Sequence, residues 1–128
     1  MPINKALMIT PEMKQATARA ALLDHVALRR WEKEVGGIEI NGLTVATDDR
    51  SKVMISGARV AAQNDPNFTT QWKAAGGTFA TINAAAVIAI SDAMLARVSN
   101  CFAIEAQVLA AIEAGTITTY KQVDTALE

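Results

Sequence analysis

The chain has 128 residues, of which 51% are hydrophobic and 5% aromatic, and it carries a formal net charge of −1 at pH 7. This length suits a single domain over residues 1–128 with a core built mainly from aliphatic side chains. The near-balanced charge gives no electrostatic reason to expect nucleic acid or an anionic membrane as a partner. No unbroken apolar stretch reaches the roughly 20 residues that cross a bilayer. The single cysteine, Cys101, excludes an internal disulfide and is typical of a reducing cytosol.

The first predicted element is a helix over residues 11–35. Thr10 can cap its first turn, and Pro11 suits the first helical position. Gly36 and Gly37 end the helix, because glycine accepts the left-handed backbone favoured at that point. Apolar residues recur at three- and four-residue spacing and predict an amphipathic stripe of Met13, Ala16, Ala20, Leu23, Ala27 and Trp31.

Two β-hairpins are predicted after this helix. Asn41 and Gly42 accept the positive φ angles of a tight type I′ turn, and they lie between two short apolar segments. Gly76 and Gly77 predict the turn of a second β-hairpin. The predicted strands are 38–40 and 43–45 in the first hairpin, and 68–72 and 78–82 in the second.

A second helix is predicted between the hairpins, over residues 50–63, with a cap supplied by Thr47, Asp48 and Asp49. Gly57 inside it costs about 1 kcal/mol relative to alanine. A close contact with another element and a merely tolerated glycine explain this residue equally well.

The longest predicted helix covers residues 84–114, which corresponds to roughly 45 Å. Asn83 caps its start and Gly115 ends it. Two adjacent rows of apolar residues repeat every seven positions: Ile88, Leu95, Phe102 and Leu109 in one row, and Val87, Met94, Cys101 and Val108 in the other. Together they make a face broader than the seam of a two-stranded coiled coil. The helix is therefore either central to the fold or packed in part against another copy or another protein.

A short terminal helix over residues 118–127 completes the predicted elements. The predicted fold class is α+β and α-dominated, with a small bundle of about three helices and two short β-hairpins.

No catalytic residue, metal site or cofactor site is predicted. His25 is the only histidine and fits a surface or partly buried structural role, while Cys101 lies in an apolar heptad row and fits the core. Pairing between Arg30 and Glu34 balances the basic residues beside Trp31. The aromatic residues proposed as protein-interface anchors are Trp31, Trp72 and Phe79.

A series of sequence blocks, in their order and spacing, resembles a known family. The blocks are GGIEINGLTVATDDRS at 36–51, ISGAR at 55–59, QWK at 71–73 and AAAVIAI at 84–90. They are similar to domain of unknown function 4376, a phage and prophage family. The resemblance covers residues 30–123 and leaves the first helix outside a family-like core at 36–125. It transfers no catalytic residue.

Members of this family occur as short proteins encoded near tail-fibre genes and as modules within tail or tail-fibre proteins. The resemblance therefore implies a phage tail setting. Together with the lack of a catalytic constellation and the long apolar helix, it leads us to expect a non-enzymatic, tail-associated structural or adaptor protein that acts through protein–protein contacts. The long helix adds a homo-oligomer as a candidate assembly. The implied partners are phage tail or tail-fibre proteins, and the implied location is the virion tail or the bacterial host cytoplasm. The alternative is a tail-fibre assembly chaperone that is absent from the mature virion. A small enzyme acting on the host surface ranks last.

Overall fold

The computed structural model describes residues 10–128, and the first nine residues of the predicted domain lie outside that part of the chain. Its elements are α1 (Pro11–Glu34), β1 (Ile38–Ile40), β2 (Leu43–Val45), α2 (Asp49–Asn64), β3 (Thr69–Lys73), β4 (Phe79–Asn83), α3 (Ala84–Ala114) and α4 (Tyr120–Ala126). The strands form two separate antiparallel two-stranded sheets. The predicted α-dominated α+β fold class is confirmed.

Local side-chain chemistry sets the ends of α1 and α3 as predicted. The hydroxyl oxygen of Thr10 accepts a hydrogen bond from the backbone N–H of Met13 at 3.1 Å. The side-chain oxygen of Asn83 accepts one from the N–H of Ala86 at 2.9 Å. Gly115 ends α3 in the left-handed region, with φ at 81°. The helix boundaries therefore follow from satisfying backbone groups that have no partner inside the helix.

The second helix, α2, begins at Asp49, one residue before the predicted start, and Asp48 of the predicted cap accepts a hydrogen bond from the N–H of Ser51 at 3.3 Å. Of the two explanations for Gly57, the structure supports the tolerated glycine. A Cβ atom placed on Gly57 would meet nothing within 4 Å, so the residue makes no close contact with another element.

The first hairpin, β1–β2, has the predicted turn. Its register pairs Ile38 with Val45 and Ile40 with Leu43. The two turn residues, Asn41 and Gly42, have φ angles of 50° and 79°, which is the requirement of a type I′ turn.

The second hairpin, β3–β4, is displaced by one residue from the predicted strands at 68–72 and 78–82. Phe68 belongs to the preceding turn, since its N–H donates to the carbonyl of Asp65 at 3.0 Å. Thr78 belongs to the hairpin loop, because its carbonyl accepts from the N–H of Ala74 at 2.7 Å. Hydrogen bonds within the turns therefore exclude Phe68 and Thr78 from the strands to which the apolar pattern assigned them.

Helix α3 is central, and it contributes to two hydrophobic clusters at different positions along its length. The hairpin-side cluster surrounds its first half and contains Val45, Ile55, Ala62, Trp72, Ile82, Ala84, Val87, Ile90 and Met94. The C-terminal cluster surrounds its second half and contains Leu22, Val26, Val108, Ile112, Val123 and Leu127. The heptad row of Val87, Met94, Cys101 and Val108 is at most 3% exposed along the length of the helix.

The stripe predicted on α1 does not face the core. The buried apolar residues are Leu22 and Val26, whereas the predicted stripe members Met13 and Trp31 are 50% and 49% exposed. Residues 11–20 are all exposed, so the buried contacts of α1 with α3 and α4 come from residue 21 onward. Tertiary contact therefore selects a helix face that the spacing of apolar residues alone did not identify.

A charged network lies between the two clusters, and we name it the Glu34 network after its most buried member, which is 7% exposed. Arg30 donates to Glu34 at 2.9 Å, as predicted, and to Glu105 on α3 at 3.2 Å. Lys52 on α2 donates to the second oxygen of Glu34. This hydrogen bond from Lys52 is the largest influence on the pKa of Glu34, which lies below its ordinary value despite the opposing effect of burial.

The end of α1 is tied to the rest of the fold through its backbone. The guanidinium of Arg97 donates from Nε and Nη2 to the carbonyl of Lys33, at 3.2 and 3.0 Å. The buried hydroxyl of Thr47 donates to the carbonyl of Glu34 at 2.7 Å and accepts from the N–H of Gly37 at 2.9 Å. These contacts satisfy carbonyl groups that have no partner inside the helix, and they fix the direction in which the chain enters the first hairpin.

By length and composition alone, α3 could cross a membrane, since one of its 18-residue windows has a mean hydropathy of 1.5. Charged residues at Asp92, Arg97 and Glu105 interrupt this helix, so it contains no unbroken apolar stretch of that length. The window is weak evidence for a membrane span, because the core helix of a soluble protein has the same properties.

Candidate interaction surfaces

The three aromatic residues predicted as interface anchors occupy different environments. Phe79 at the start of β4 is 67% exposed, and Trp31 near the end of α1 is 49% exposed. Trp72 on β3 is 9% exposed and belongs to the hairpin-side cluster. The structure brings Trp72 and Phe79 to one groove and leaves Trp31 on a separate surface.

The hairpin groove, as we name it, lies between the start of α2 and the loop end of the second hairpin. Its volume is about 550 Å³, which is within the roughly 300–1,000 Å³ of ligand pockets in proteins. Its apolar lining includes Met54, Trp72 and Phe79. Met54 is 51% exposed, so two large apolar side chains stand in solvent at the edges of the groove. The hairpin register pairs Phe79 with Lys73, which places the aromatic ring next to the loop.

Charges of both signs surround this apolar lining. Asp48, Arg50 and Lys73 all line the groove. The pKa of Asp48 lies below its ordinary value, chiefly because Ser51 donates a hydrogen bond to the carboxylate. The groove therefore offers an apolar contact with polar groups of either sign beside it, which is the composition of a protein-binding site with a polar rim.

A second candidate surface is the outward side of α3. Leu95, Phe102 and Leu109 are 67%, 47% and 37% exposed, although they repeat every seven residues like the buried row beside them. Arg30 lies over the ring of Phe102, with its guanidinium carbon 4.8 Å from the ring centroid. One side of this ring therefore contacts the cation, and the residue remains half exposed. Arg30 reaches Phe102 from α1, so this surface adjoins α1 at that contact.

His25 and Cys101 both occupy structural positions in the fold. Nε2 of His25 lies 2.6 Å from a carboxylate oxygen of Asp124, and its ring centroid is 4.7 Å from that of Tyr120. Arg29 also approaches the carboxylate of Asp124, at 3.1 Å, so this group links α1 to α4. Cys101 is fully buried. Within residues 10–128, no group of three or more histidine, cysteine or acidic side chains is placed to hold a metal ion.

Comparison with protein-family models identifies the family of the chain. Residues 17–127 match the model of the domain of unknown function DUF4376. The chain belongs to this family. The match begins inside α1, so most of the first helix, which the sequence blocks left outside the resemblance, is part of the family domain. No curated protein and no solved structure matches the chain significantly.

Proposed function

We propose that this DUF4376 protein is a non-enzymatic, phage tail-associated structural or adaptor protein that acts through protein–protein contacts. The resemblance of its sequence blocks to a phage and prophage family supports the tail setting. The observation that carries the binding role is the exposure of Met54 and Phe79 at the hairpin groove, at 51% and 67%.

Exposed aromatic side chains beside a groove are the usual anchors of protein interfaces. Phe79 lies at the end of a strand whose partner strand carries the buried Trp72, so the ring is presented from a supported backbone. A partner side chain of apolar character would fill the groove between Met54 and Phe79 and remove both from water. Asp48 and Lys73 at the rim would then orient the partner through charge.

The partner that we propose is a tail or tail-fibre protein encoded beside this chain. The protein would act in the virion tail or in the host cytoplasm during tail assembly, and no cofactor has a role in this proposal. Either location requires only that the hairpin groove remain accessible to the partner.

Binding to the neighbouring tail or tail-fibre protein tests the proposal directly. We expect Phe79→Ser to weaken the affinity at least about tenfold, because an aromatic interface anchor contributes about 2 kcal/mol or more. Val60→Ser is the matched control, since Val60 is also exposed, at 58%, and lies on α2 outside the groove lining. Titration calorimetry with the purified partner measures both variants. Equal affinities for wild type and Phe79→Ser would exclude the groove as the binding site.

The composition of purified virions separates the structural role from the chaperone alternative. A structural or adaptor protein remains in the particle at a fixed ratio to the tail proteins. A chaperone is absent from the particle, and its co-expression raises the yield of soluble fibre protein. Mass spectrometry of virions that never detects the chain would overturn the structural form of the proposal.

A further inference from the structure

We propose that the outward side of α3 is a self-association interface, in which two copies of this chain pack their α3 helices antiparallel about a two-fold axis. This inference uses a different surface from the hairpin groove and does not depend on the proposed function. We name the surface the α3 outer face, and its exposed residues from one end to the other are Leu95, Ala96, Ser99, Phe102, Ala103, Ala106, Leu109 and Ala110.

The α3 outer face carries no charged side chain along its length. Asp92 and Glu113 are the first exposed charges beyond its two ends. Arg97 and Glu105 lie between these ends, but both are half-buried and bind α1, through the carbonyl of Lys33 and the side chain of Arg30. Surfaces of this kind on soluble proteins mark contacts with a partner.

The spacing of residues on this face fits a helix as the occupant. Leu95, Phe102 and Leu109 form what we name the large row, with one residue every seven positions. Ser99 and Ala106 form a small row beside it, with the same spacing. A seven-residue repeat keeps the same residues turned toward a partner helix over several turns. A partner in extended conformation does not require such a repeat.

The alternation of large and small residues favours a second copy in antiparallel orientation. A two-fold axis at the level of Ile104 places Phe102 opposite Ala106 of the second copy, and Leu109 opposite Ser99 of the second copy. Phe102 and Leu109 then each meet a small side chain, and the exchange repeats on the other side of the axis. Leu95 lies opposite Glu113 of the second copy, at the two ends of the contact. A parallel pair in register would instead set large against large and small against small, which leaves overpacked and empty layers.

Phe102 is held in place before association. The guanidinium of Arg30 covers one side of its ring, and Glu34 and Glu105 fix that guanidinium through hydrogen bonds of 2.9 and 3.2 Å. An anchor whose position is already fixed loses little side-chain entropy on binding.

The oligomeric state of the purified chain tests the interface. We expect light scattering to give a dimer whose dissociation constant rises at least about tenfold in Ala106→Arg, since the new charge would be buried against Phe102 of the second copy. Gln107→Arg is the matched control, because Gln107 is exposed and lies about 100° further around the same helix. A monomer at all concentrations, or a dimer that tolerates Ala106→Arg, would overturn the proposal.

Disulfide trapping tests the register. A mixture of Ser99→Cys and Leu109→Cys proteins should form a cross-linked heterodimer, because opposed residues come within the roughly 7 Å that a disulfide requires. Each variant alone should cross-link poorly, since equivalent positions lie about 15 Å apart along antiparallel helices. Efficient cross-linking of Ser99→Cys with itself would indicate a parallel pair and overturn the antiparallel arrangement. Cys101 is fully buried and remains in all variants.

The two proposals fail independently. If Ala106→Arg is monomeric and still binds the tail protein, self-association and partner binding use separate surfaces, as inferred. If the wild-type chain is monomeric and Ala106→Arg abolishes binding to the tail protein, the α3 outer face binds that protein and the inference is wrong. Binding of a monomeric wild-type chain to uncharged phosphatidylcholine vesicles, lost in Ala106→Arg, would assign the face to lipid and overturn it as well.

Discussion

The two hydrophobic clusters along α3 are built in different ways. The hairpin-side cluster combines side chains from strands and from two helices, and it includes Trp72. The C-terminal cluster contains six aliphatic side chains, all from α1, α3, α4 and the residue directly after α4. In this second region α1 leaves residues 11–20 exposed, and Phe102 and Leu109 of α3 remain accessible.

This difference indicates a division of roles along one helix. The hairpins and α2 enclose the first half of α3 from several directions, so its core is the larger one. From Leu95 onward the outward side of α3 is exposed, which leaves apolar helix surface available for association. Three substitutions test this comparison, and they follow in order of decreasing expected effect on the free energy of unfolding.

The largest loss of stability is expected from Trp72→Ala in the hairpin-side cluster. Removing a buried aromatic side chain costs about 3–5 kcal/mol, through lost burial and the cavity that remains. Phe79→Ala is the matched control on the same hairpin, since Phe79 is 67% exposed. Urea unfolding followed by circular dichroism measures both changes. Similar losses in the two variants would contradict the burial difference between the two aromatic residues.

A smaller loss, of about 3 kcal/mol, is expected from Leu22→Ala in the C-terminal cluster. Leu22 is 6% exposed, and its neighbour Leu23, at 37%, supplies the control Leu23→Ala. Hydrogen exchange shows where the loss occurs. We expect faster exchange in α1 and α4 while the two hairpins keep their protection, because local opening is confined to contiguous units. Uniformly faster exchange over the whole chain would show that the two clusters unfold as one unit.

Much of this fold could be predicted from the sequence, because local chemistry determines it. Thr10, Asn83 and Gly115 set helix ends through backbone hydrogen bonds and a left-handed residue, and these act within a few positions of the chain. The turn at Asn41 and Gly42 follows in the same way from their positive φ angles. Short-range rules of this kind do not depend on the tertiary arrangement.

The choice of which apolar face is buried depends on distant parts of the chain. On α1 the regular stripe that includes Leu23 and Trp31 is exposed, and Leu22 and Val26 are buried instead. On α3 the rows containing Cys101 and Phe102 have the same spacing, yet only the first is buried. Contacts between α1 and α3 determine which face is buried in both cases, and the periodicity of a single helix contains no information about such contacts.

The hairpin groove could be predicted only in part, for a related reason. Trp72 and Phe79 were predicted as interface residues, and both line the groove. Their opposite exposure follows from the strand register, in which neighbouring residues alternate between the two sides of the hairpin. The predicted strands give the same alternation, but which of the two sides faces the helices depends on tertiary packing, which the strand pattern does not specify. The contribution of Met54 requires α2 to lie beside the hairpin, which no local pattern specifies.

The smallest of the three effects, about 2 kcal/mol, is expected from Glu34→Gln in the charged network that separates the clusters. The folded-state pKa of Glu34 is lowered, so its carboxylate stabilises the fold fully above its ordinary value of 4.5. That contribution is lost as the pH falls below 4.5 and passes through the lower folded-state pKa. The difference in unfolding free energy between wild type and Glu34→Gln should therefore be largest at neutral pH and shrink on acidification.

Glu32→Gln is the control for this pH dependence, because Glu32 pairs with Arg29 on the half-exposed side of α1 and such pairs contribute about 0–1 kcal/mol. Urea titrations at neutral pH and at about pH 3 compare the three proteins. A difference between wild type and Glu34→Gln that stays constant between these conditions would show that the charge on Glu34 does not stabilise the fold. A difference that shrinks, together with separate exchange rates for the two clusters in Glu34→Gln, would show that this carboxylate couples the enclosed half of α3 to the open half.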